Sequence, residues 1–146
     1  MPLRADDVAA WVLKTRTPLD DLTDGWRNGD RADLRRCVHP TYRLDLVQPG
    51  DRCLLWLSGR QAPGVHAVGV VTEAPVDGDP DPAVHVRLHR LAEPLARADL
   101  LADPAVADAE VLRAPFGSNP SYLTPAQLRA VLERLAAADL RAAGWS

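Results

Sequence analysis

A short link between two apolar segments restricts what this chain can fold into. Residues 52–58 are rich in Leu and residues 65–73 in Val, and only a six-residue link that contains Pro63-Gly64 separates them. Parallel neighbours need a crossover of about a dozen residues or more, whereas a short loop with Gly is typical of a hairpin. The two segments therefore predict an antiparallel strand pair and disfavour a parallel β-α-β architecture.

Residues 83–91 indicate a further central strand, because apolar and polar side chains alternate along it. Val84, Val86 and Leu88 lie on one face and His85, Arg87 and His89 on the other. This pattern is typical of an antiparallel strand with one solvated face. Shorter elements are predicted around it: a strand over residues 10–14, a helical turn over 19–24, a helix over 34–38 and a strand over 109–112.

A helix is predicted to begin at Thr124. Thr124-Pro125-Ala126-Gln127 has the pattern of a capping box with proline at the first helical position, and leucines and valine follow at helical spacing. Short strands with helices before and after them predict an α+β fold, a small curled sheet flanked by helices. The length suits one domain over residues 1–146.

The charge distribution argues against a strongly basic protein that binds DNA non-specifically. The net charge is −3, and residues 61–110 hold three Arg against nine Asp or Glu, so the flanking segments are neutral to basic. Isoleucine is absent, and Lys14 is the one lysine among seventeen basic residues. This bias indicates a GC-rich bacterial genome, so the abundant Arg is not by itself a nucleic-acid signal.

The sequence also predicts the compartment and excludes some chemistry. No apolar run is long enough to span a bilayer, and the first residues lack the apolar stretch of a signal peptide. Cys37, Cys53 and the four histidines have no metal-binding spacing, and no nucleophile–base signature is present. We expect a cytoplasmic, non-enzymatic protein with two reduced thiols, no metal, no cofactor and no contact with a membrane.

Three tryptophans stand beside small polar residues at the ends of predicted elements, although the chain has few aromatic residues to spare. Such placement indicates a pocket that stacks a flat ligand and hydrogen-bonds its edge. Trp26 and Trp56 are the predicted walls, and Ser58 lies on the same strand face as Trp56. The alternative for both is burial in the core, which the apolar neighbours of Trp11 favour for that residue.

A polar pair near the C-terminus is a second candidate for ligand contact. Ser118 and Asn119 precede the predicted helix, and a helix N-terminus offers backbone donors to phosphate. A local turn before Pro120 would account for the same residues without any ligand.

Six pieces of the sequence together resemble the EVE domain. They are Trp11-Val12-Leu13-Lys14-Thr15, Trp26-Arg27-Asn28, Pro49-Gly50-Asp51, Trp56-Leu57-Ser58-Gly59, residues 62–69 and residues 115–124. The resemblance covers nearly the whole chain. EVE domains belong to the PUA-like superfamily, together with the YTH readers of methylated adenine and the ASCH domains.

The resemblance implies a PUA-like, curled antiparallel β-barrel flanked by helices. It implies a pocket for a modified base, such as 5-methylcytosine or 5-hydroxymethylcytosine, flipped out of DNA, or for a modified nucleotide in RNA. It also places the end of the first strand beside that pocket, and a partner protein in a restriction or RNA-processing system is expected. The expected ligand contacts are Lys14, Thr15, Trp26, Asn28, Trp56, Ser58, Gly59, Ser118 and Asn119.

Two other classes of function remain open on the sequence. A small-molecule or free-nucleotide binder could use the same pocket, and the mild acidity favours it because polynucleotides bind largely through their phosphates. A basic rim around the pocket would favour nucleic acid instead. An ASCH-like enzyme acting on nucleic acid or nucleosides would need a lysine with Glu or Asp in the pocket, and Lys14 is the one lysine available.

Overall fold

A single mixed sheet organises the protein in the computed structural model, which describes residues 2–145. Its strands are β1 (Ala10–Thr15), β2 (Arg31–Cys37), β3 (Arg52–Leu57), β4 (Gly64–Val76), β5 (Ala83–Ala96) and β6 (Ser121–Leu123). The helices are α1 (Leu19–Leu22), α2 (Arg97–Leu101), α3 (Glu110–Arg113), α4 (Pro125–Leu132) and α5 (Ala137–Ala143), with 3-10 turns at Ala5–Asp7 and Tyr42–Leu46.

The strand order is β2-β5-β4-β3-β1-β6. The predicted hairpin is confirmed, since β3 and β4 pair antiparallel, and β5 continues the antiparallel run on the other side of β4. The α+β class and the curled sheet are confirmed as well. Two details differ from a closed antiparallel barrel: the sheet keeps two free edges, and β1 runs parallel to β3. Between β1 and β3 the chain forms β2 at the opposite edge of the sheet. The connection from β1 to β3 is therefore long enough for the two strands to pair in parallel.

Two of the shorter predictions are wrong. Residues 34–38 belong largely to an edge strand, β2, which pairs residue by residue with β5 instead of forming a helix. Residues 109–112 form the start of α3, whose Val111 and Leu112 are buried, instead of a strand. Segments this short do not show enough of a period to distinguish the two structures, and tertiary pairing decides. The capping box at Thr124 is confirmed, because its hydroxyl accepts from the Gln127 N–H.

The sheet separates two apolar clusters, and the tryptophans are divided between them. Alternation along β3 sends Trp56 to the cluster that also holds Trp145, while Trp11 and Trp26 lie in the cluster on the opposite face. All four rings are buried, with Trp26 only 4% exposed and Trp56 only 1%. Trp26 and Trp56, the two predicted pocket walls, are therefore buried in different clusters and do not line one pocket.

The burial of Trp26 has a local cause. Its indole N–H donates to the Asp30 carbonyl at 2.9 Å, so the ring packs against the turn through residues 27–29 that follows it. Arg90 then donates to the Trp26 carbonyl at 2.6 Å and fixes the turn against β5. A tryptophan in a polar loop has satisfied its one donor within that loop, which allows the rest of the ring to be buried.

We predict that Trp26→Ala destabilises the protein by about 3–5 kcal/mol, the usual cost of removing a buried large aromatic side chain. Urea unfolding of the variant and the wild type measures the difference. Trp26→Phe serves as the control, because it keeps most of the buried area and should lose much less. A Trp26→Ala variant as stable as the wild type would show that the ring is not part of the core.

Candidate functional site

Parallel pairing brings the C-terminal ends of β1 and β3 side by side at one end of the sheet, where Thr15 lies opposite Leu57. Residues 114–119, here called the crossing segment, run over this end of the sheet before β6 begins. Ser58 donates its hydroxyl proton to the Pro115 carbonyl at 2.8 Å, and Lys14 Nζ donates to the Ala114 carbonyl at 3.2 Å. The first half of the crossing segment is thereby attached to both strands.

Asn119 fixes the other end of the crossing segment. Its Oδ1 accepts from the Lys14 backbone N–H at 2.7 Å, and its Nδ2 donates to the Lys14 carbonyl at 3.0 Å. The next residue, Pro120, has no N–H to offer to a strand neighbour. The Asn119 amide therefore continues the β1–β6 pairing with a side chain, which satisfies backbone groups that would otherwise lack partners.

A cavity of about 500 Å³ opens beside the crossing segment and is here called the Lys14–Arg43 cavity. This volume falls in the range of small-molecule and base-binding pockets. Its walls come from the end of β1, the 3-10 turn at Tyr42–Leu46, α3 and the crossing segment. The lining residues are Lys14, Thr41, Tyr42, Arg43, Glu110, Arg113, Ala114, Gly117, Ser118, Asn119 and Pro120.

A two-pronged ion pair forms one wall of this cavity. Arg43 Nη1 and Nη2 each lie 2.7 Å from one oxygen of Glu110, and Arg43 Nη1 also donates to the Pro120 carbonyl. Ser121 donates its hydroxyl proton to Glu110 Oε1 at 2.8 Å. The hydrogen bond with Glu110 raises the pKa of Arg43, and the same hydrogen bond lowers the pKa of Glu110. Both groups stay charged, and both carboxylate oxygens of Glu110 are engaged by the protein.

Lys14 differs from this pair, because its ammonium retains donors for a ligand. The residue is only 8% exposed, and Nζ makes a single hydrogen bond, to Ala114. An ammonium carries three donors, so two remain. Burial lowers the pKa of Lys14, although the Glu110 carboxylate opposes the shift. A side chain at Gly117 would come within 3.3 Å of Nζ, so glycine at this position leaves the ammonium accessible.

Two exposed aromatic side chains stand near the cavity in place of the predicted tryptophans. Tyr42, 50% exposed, lines the cavity and accepts a hydrogen bond from the Leu3 N–H at its hydroxyl. Phe116, 62% exposed, projects from the crossing segment with the Arg16 guanidinium 4.7 Å from the centre of its ring. These rings, and not Trp26 or Trp56, are available to stack against a flat ligand.

The structure brings together three of the nine predicted contact residues, Lys14, Ser118 and Asn119, in the Lys14–Arg43 cavity. Ser58 and Gly59 line a neighbouring cavity of about 370 Å³ with Arg16 and Arg60, here called the Arg16–Arg60 cavity.

The other four predicted residues lie elsewhere. Thr15 is buried at the end of β1, where its hydroxyl accepts from the Thr17 N–H. Asn28 donates to the Ala92 carbonyl and lies on a different part of the surface. Trp26 borders an open surface cavity that also holds Asp24, Asp30 and Asp33, and Trp56 is enclosed in the core with its indole N–H unpaired.

Sequence reasoning missed Tyr42, Arg43 and Glu110. Arg43 and Glu110 are 67 residues apart, and no local pattern links them. Glu110 also lies in the acidic segment 61–110, whereas all nine predicted contact residues lie outside it. Tyr42 is one of only two tyrosines, and its scarcity was the one signal that could have singled it out.

Among residues 2–145, no group of three His, Cys, Asp or Glu side chains is arranged to hold a metal ion. Over the same residues, no helix has both the length and the apolar character needed to cross a membrane.

We predict that Glu110→Gln destabilises the protein by about 2 kcal/mol near neutral pH, because a half-buried Arg43 loses its charged partner. The folded-state pKa of Glu110 lies below its usual 4.5, so this contribution is fully present above pH 4.5 and is lost as the pH falls through the folded-state pKa. Unfolding curves of both proteins from pH 7 to pH 3 should therefore converge on acidification. Glu133→Gln, at an exposed carboxylate, is the matched control, and a pH-independent gap would contradict the assignment.

The chain matches no protein-family model and no curated protein by sequence. Several solved structures nevertheless share its fold. A hypothetical protein from Leishmania major is 18% identical with a TM-score of 0.65, covering 90% of this chain and 96% of its own. A protein from Pseudomonas putida is 15% identical with a TM-score of 0.62, covering 87% and 100%.

Human THYN1, solved in complex with DNA that contains 5-methylcytosine, is 13% identical with a TM-score of 0.58. That likeness covers 86% of this chain and 96% of the THYN1 chain. Identities this low speak to the fold alone. The chain has a PUA-like fold of the THYN1 type.

Proposed function

We propose that this protein is a non-enzymatic module that binds a modified base, such as 5-methylcytosine, flipped out of DNA into the Lys14–Arg43 cavity. The observation that carries the proposal is a cavity lined both by Lys14, a buried residue whose ammonium keeps two donors free, and by an exposed aromatic ring, Tyr42. The similar fold of THYN1, solved with DNA containing 5-methylcytosine, supports a base as the ligand. A base inside a duplex cannot offer both faces to a pocket, so flipping is required.

Stacking on Tyr42 would provide affinity that is common to all bases, about 1–3 kcal/mol for one aromatic ring. Lys14 would provide discrimination, because its remaining N–H groups can pair only with acceptors. Cytosine offers O2 and N3 on one edge, whereas a donor group placed there would leave the ammonium unpaired at a cost of about 1–3 kcal/mol. An added methyl group contributes about 1 kcal/mol through buried area.

The charges around the site favour a polynucleotide over a free small molecule. The Lys14–Arg43 and Arg16–Arg60 cavities are lined by five cationic residues and by one carboxylate, Glu110, which Arg43 neutralises. The chain as a whole has a net charge of −3, so this end of the sheet is a basic area on an acidic protein. Local cations of this kind bind phosphates and release counterions.

The enzyme alternative requires a lysine and a carboxylate in one cavity, which the structure provides, and a carboxylate able to accept a proton, which the structure argues against. Lys14 and Glu110 do line the same cavity. Glu110, however, has both oxygens engaged by Arg43 and one of them also by Ser121, and its pKa is lowered by the Arg43 hydrogen bond. A carboxylate held in this way is a weak base. Binding accounts for the cavity better than proton transfer.

We predict that Tyr42→Ala weakens binding of cytosine and 5-methylcytosine oligonucleotides by similar amounts, about 1–3 kcal/mol each. Lys14→Met should weaken binding by about tenfold or more, because a charged hydrogen bond is lost. Fluorescence anisotropy with labelled single-stranded oligonucleotides measures both effects.

The salt dependence of the same titrations separates a phosphate contact from a base contact. We expect a slope of log affinity against log salt of about −1 to −3, made less negative by about one in Lys14→Met if Lys14 meets a phosphate. An unchanged slope with reduced affinity indicates a base contact. Arg141→Met, at an exposed arginine of α5, controls for the loss of one positive charge. Wild-type affinity in Lys14→Met would contradict the proposed site.

A further inference from the structure

Phe116 is an apolar side chain that is largely exposed to solvent. It is the chain's one phenylalanine, and at 62% it is more exposed than Tyr42, Val76 or Leu101, the other large apolar side chains exposed among residues 2–145. Single exposed apolar residues are common on protein surfaces. This one stands on the rim between two cavities, since Gly117 lines the Lys14–Arg43 cavity and Arg16 lines the other.

The backbone that carries Phe116 is held firmly although the ring is exposed. The carbonyl before it, of Pro115, accepts from Ser58 at 2.8 Å, and the N–H after it, of Gly117, donates to the Ala114 carbonyl at 3.0 Å. Ala114 in turn accepts from Lys14 Nζ. Phe116 is therefore at the tip of a turn that is bonded to both β1 and β3.

Arg16 completes the feature by lying over the Phe116 ring, 4.7 Å from its centre. A guanidinium on an aromatic face forms a flat, cationic stack. Arg16 follows directly from the end of β1, next to Lys14 and Thr15, so the stack is attached to the same strand as Lys14, which lines the Lys14–Arg43 cavity. An aromatic ring covered by a cation suits a position between stacked bases and next to a phosphate backbone.

We propose that Phe116, with Arg16 stacked on it, is a wedge that enters duplex DNA at the gap left by the flipped base. This inference rests on the proposed function and names its substrate more closely as double-stranded DNA. Flipping a base out of a duplex loses its stacking and pairing energy. Apolar side chains inserted between base steps replace part of that stacking and hold the duplex open. The wedge must lie beside the pocket that receives the base, and Phe116 lies one residue before the cavity wall.

The test compares one modified oligonucleotide as a single strand and as a duplex, because only the duplex needs the wedge. In Phe116→Ala, duplex affinity should fall about tenfold or more, while affinity for the single strand changes by less than about threefold. Phe116→Leu should recover much of the duplex affinity, since an apolar wedge remains. Leu101→Ala, at another exposed apolar side chain, is the matched control and should bind both forms like the wild type.

A 2-aminopurine placed next to the modified base, paired with thymine, provides a second readout. Its fluorescence should rise when the wild type binds the duplex and should rise less with Phe116→Ala. Equal losses on the single strand and the duplex would overturn the wedge and make Phe116 part of the base site. Wild-type behaviour of Phe116→Ala on both forms would overturn the wedge and leave the proposed function intact. If the wild type bound neither form, the proposed function would fail, and the wedge with it.

Discussion

The paired hydrogen bonds between the Asn119 side chain and the Lys14 backbone hold the candidate site together. They attach the crossing segment to β1 at a point where Pro120 has no N–H to offer. Without them, the turn that carries Phe116 and Gly117 would lose its anchor at one end. Asn119 is thus a structural residue of the site, because both of its amide atoms are already engaged by the protein.

The parallel pairing of β1 with β3 sets the position of the crossing segment and the cavity at this end of the sheet. It aligns the two strand ends, so that Lys14 and Ser58 can both donate to neighbouring carbonyls of the crossing segment. The Arg43–Glu110 pair then closes the opposite wall and fixes two charges that a ligand would otherwise have to compensate. An aromatic face, on Tyr42, and the ammonium of Lys14 remain free for a ligand.

The sequence was sufficient to predict the parts of the fold that local patterns encode. The short Pro-Gly link specified the β3–β4 hairpin, and the residue pattern at Thr124 specified the start of α4. The edge strand β2 was missed because its pairing with β5, and not its own sequence, decides its conformation. The parallel β1–β3 pair was missed for the same reason.

The candidate site was predicted in part. The resemblance to the EVE domain placed Lys14 beside the pocket, and Ser118 and Asn119 were identified from their position before a helix. The structure brings the three residues together. The aromatic walls were misassigned, because a tryptophan beside polar residues can satisfy its N–H locally and still be buried, as Trp26 does with Asp30. Arg43 and Glu110 could not be paired from one sequence, since their contact exists only after folding.

The location of the base is the central claim, and an amide NMR titration with a short oligonucleotide containing 5-methylcytosine tests it most directly. We predict that the largest shifts occur at Lys14, at Tyr42 and Arg43, and along residues 117–119. The open cavity beside Trp26, which holds three aspartates, should be unaffected. Largest shifts at Trp26 and residues 30–33, with none around Lys14, would contradict the account.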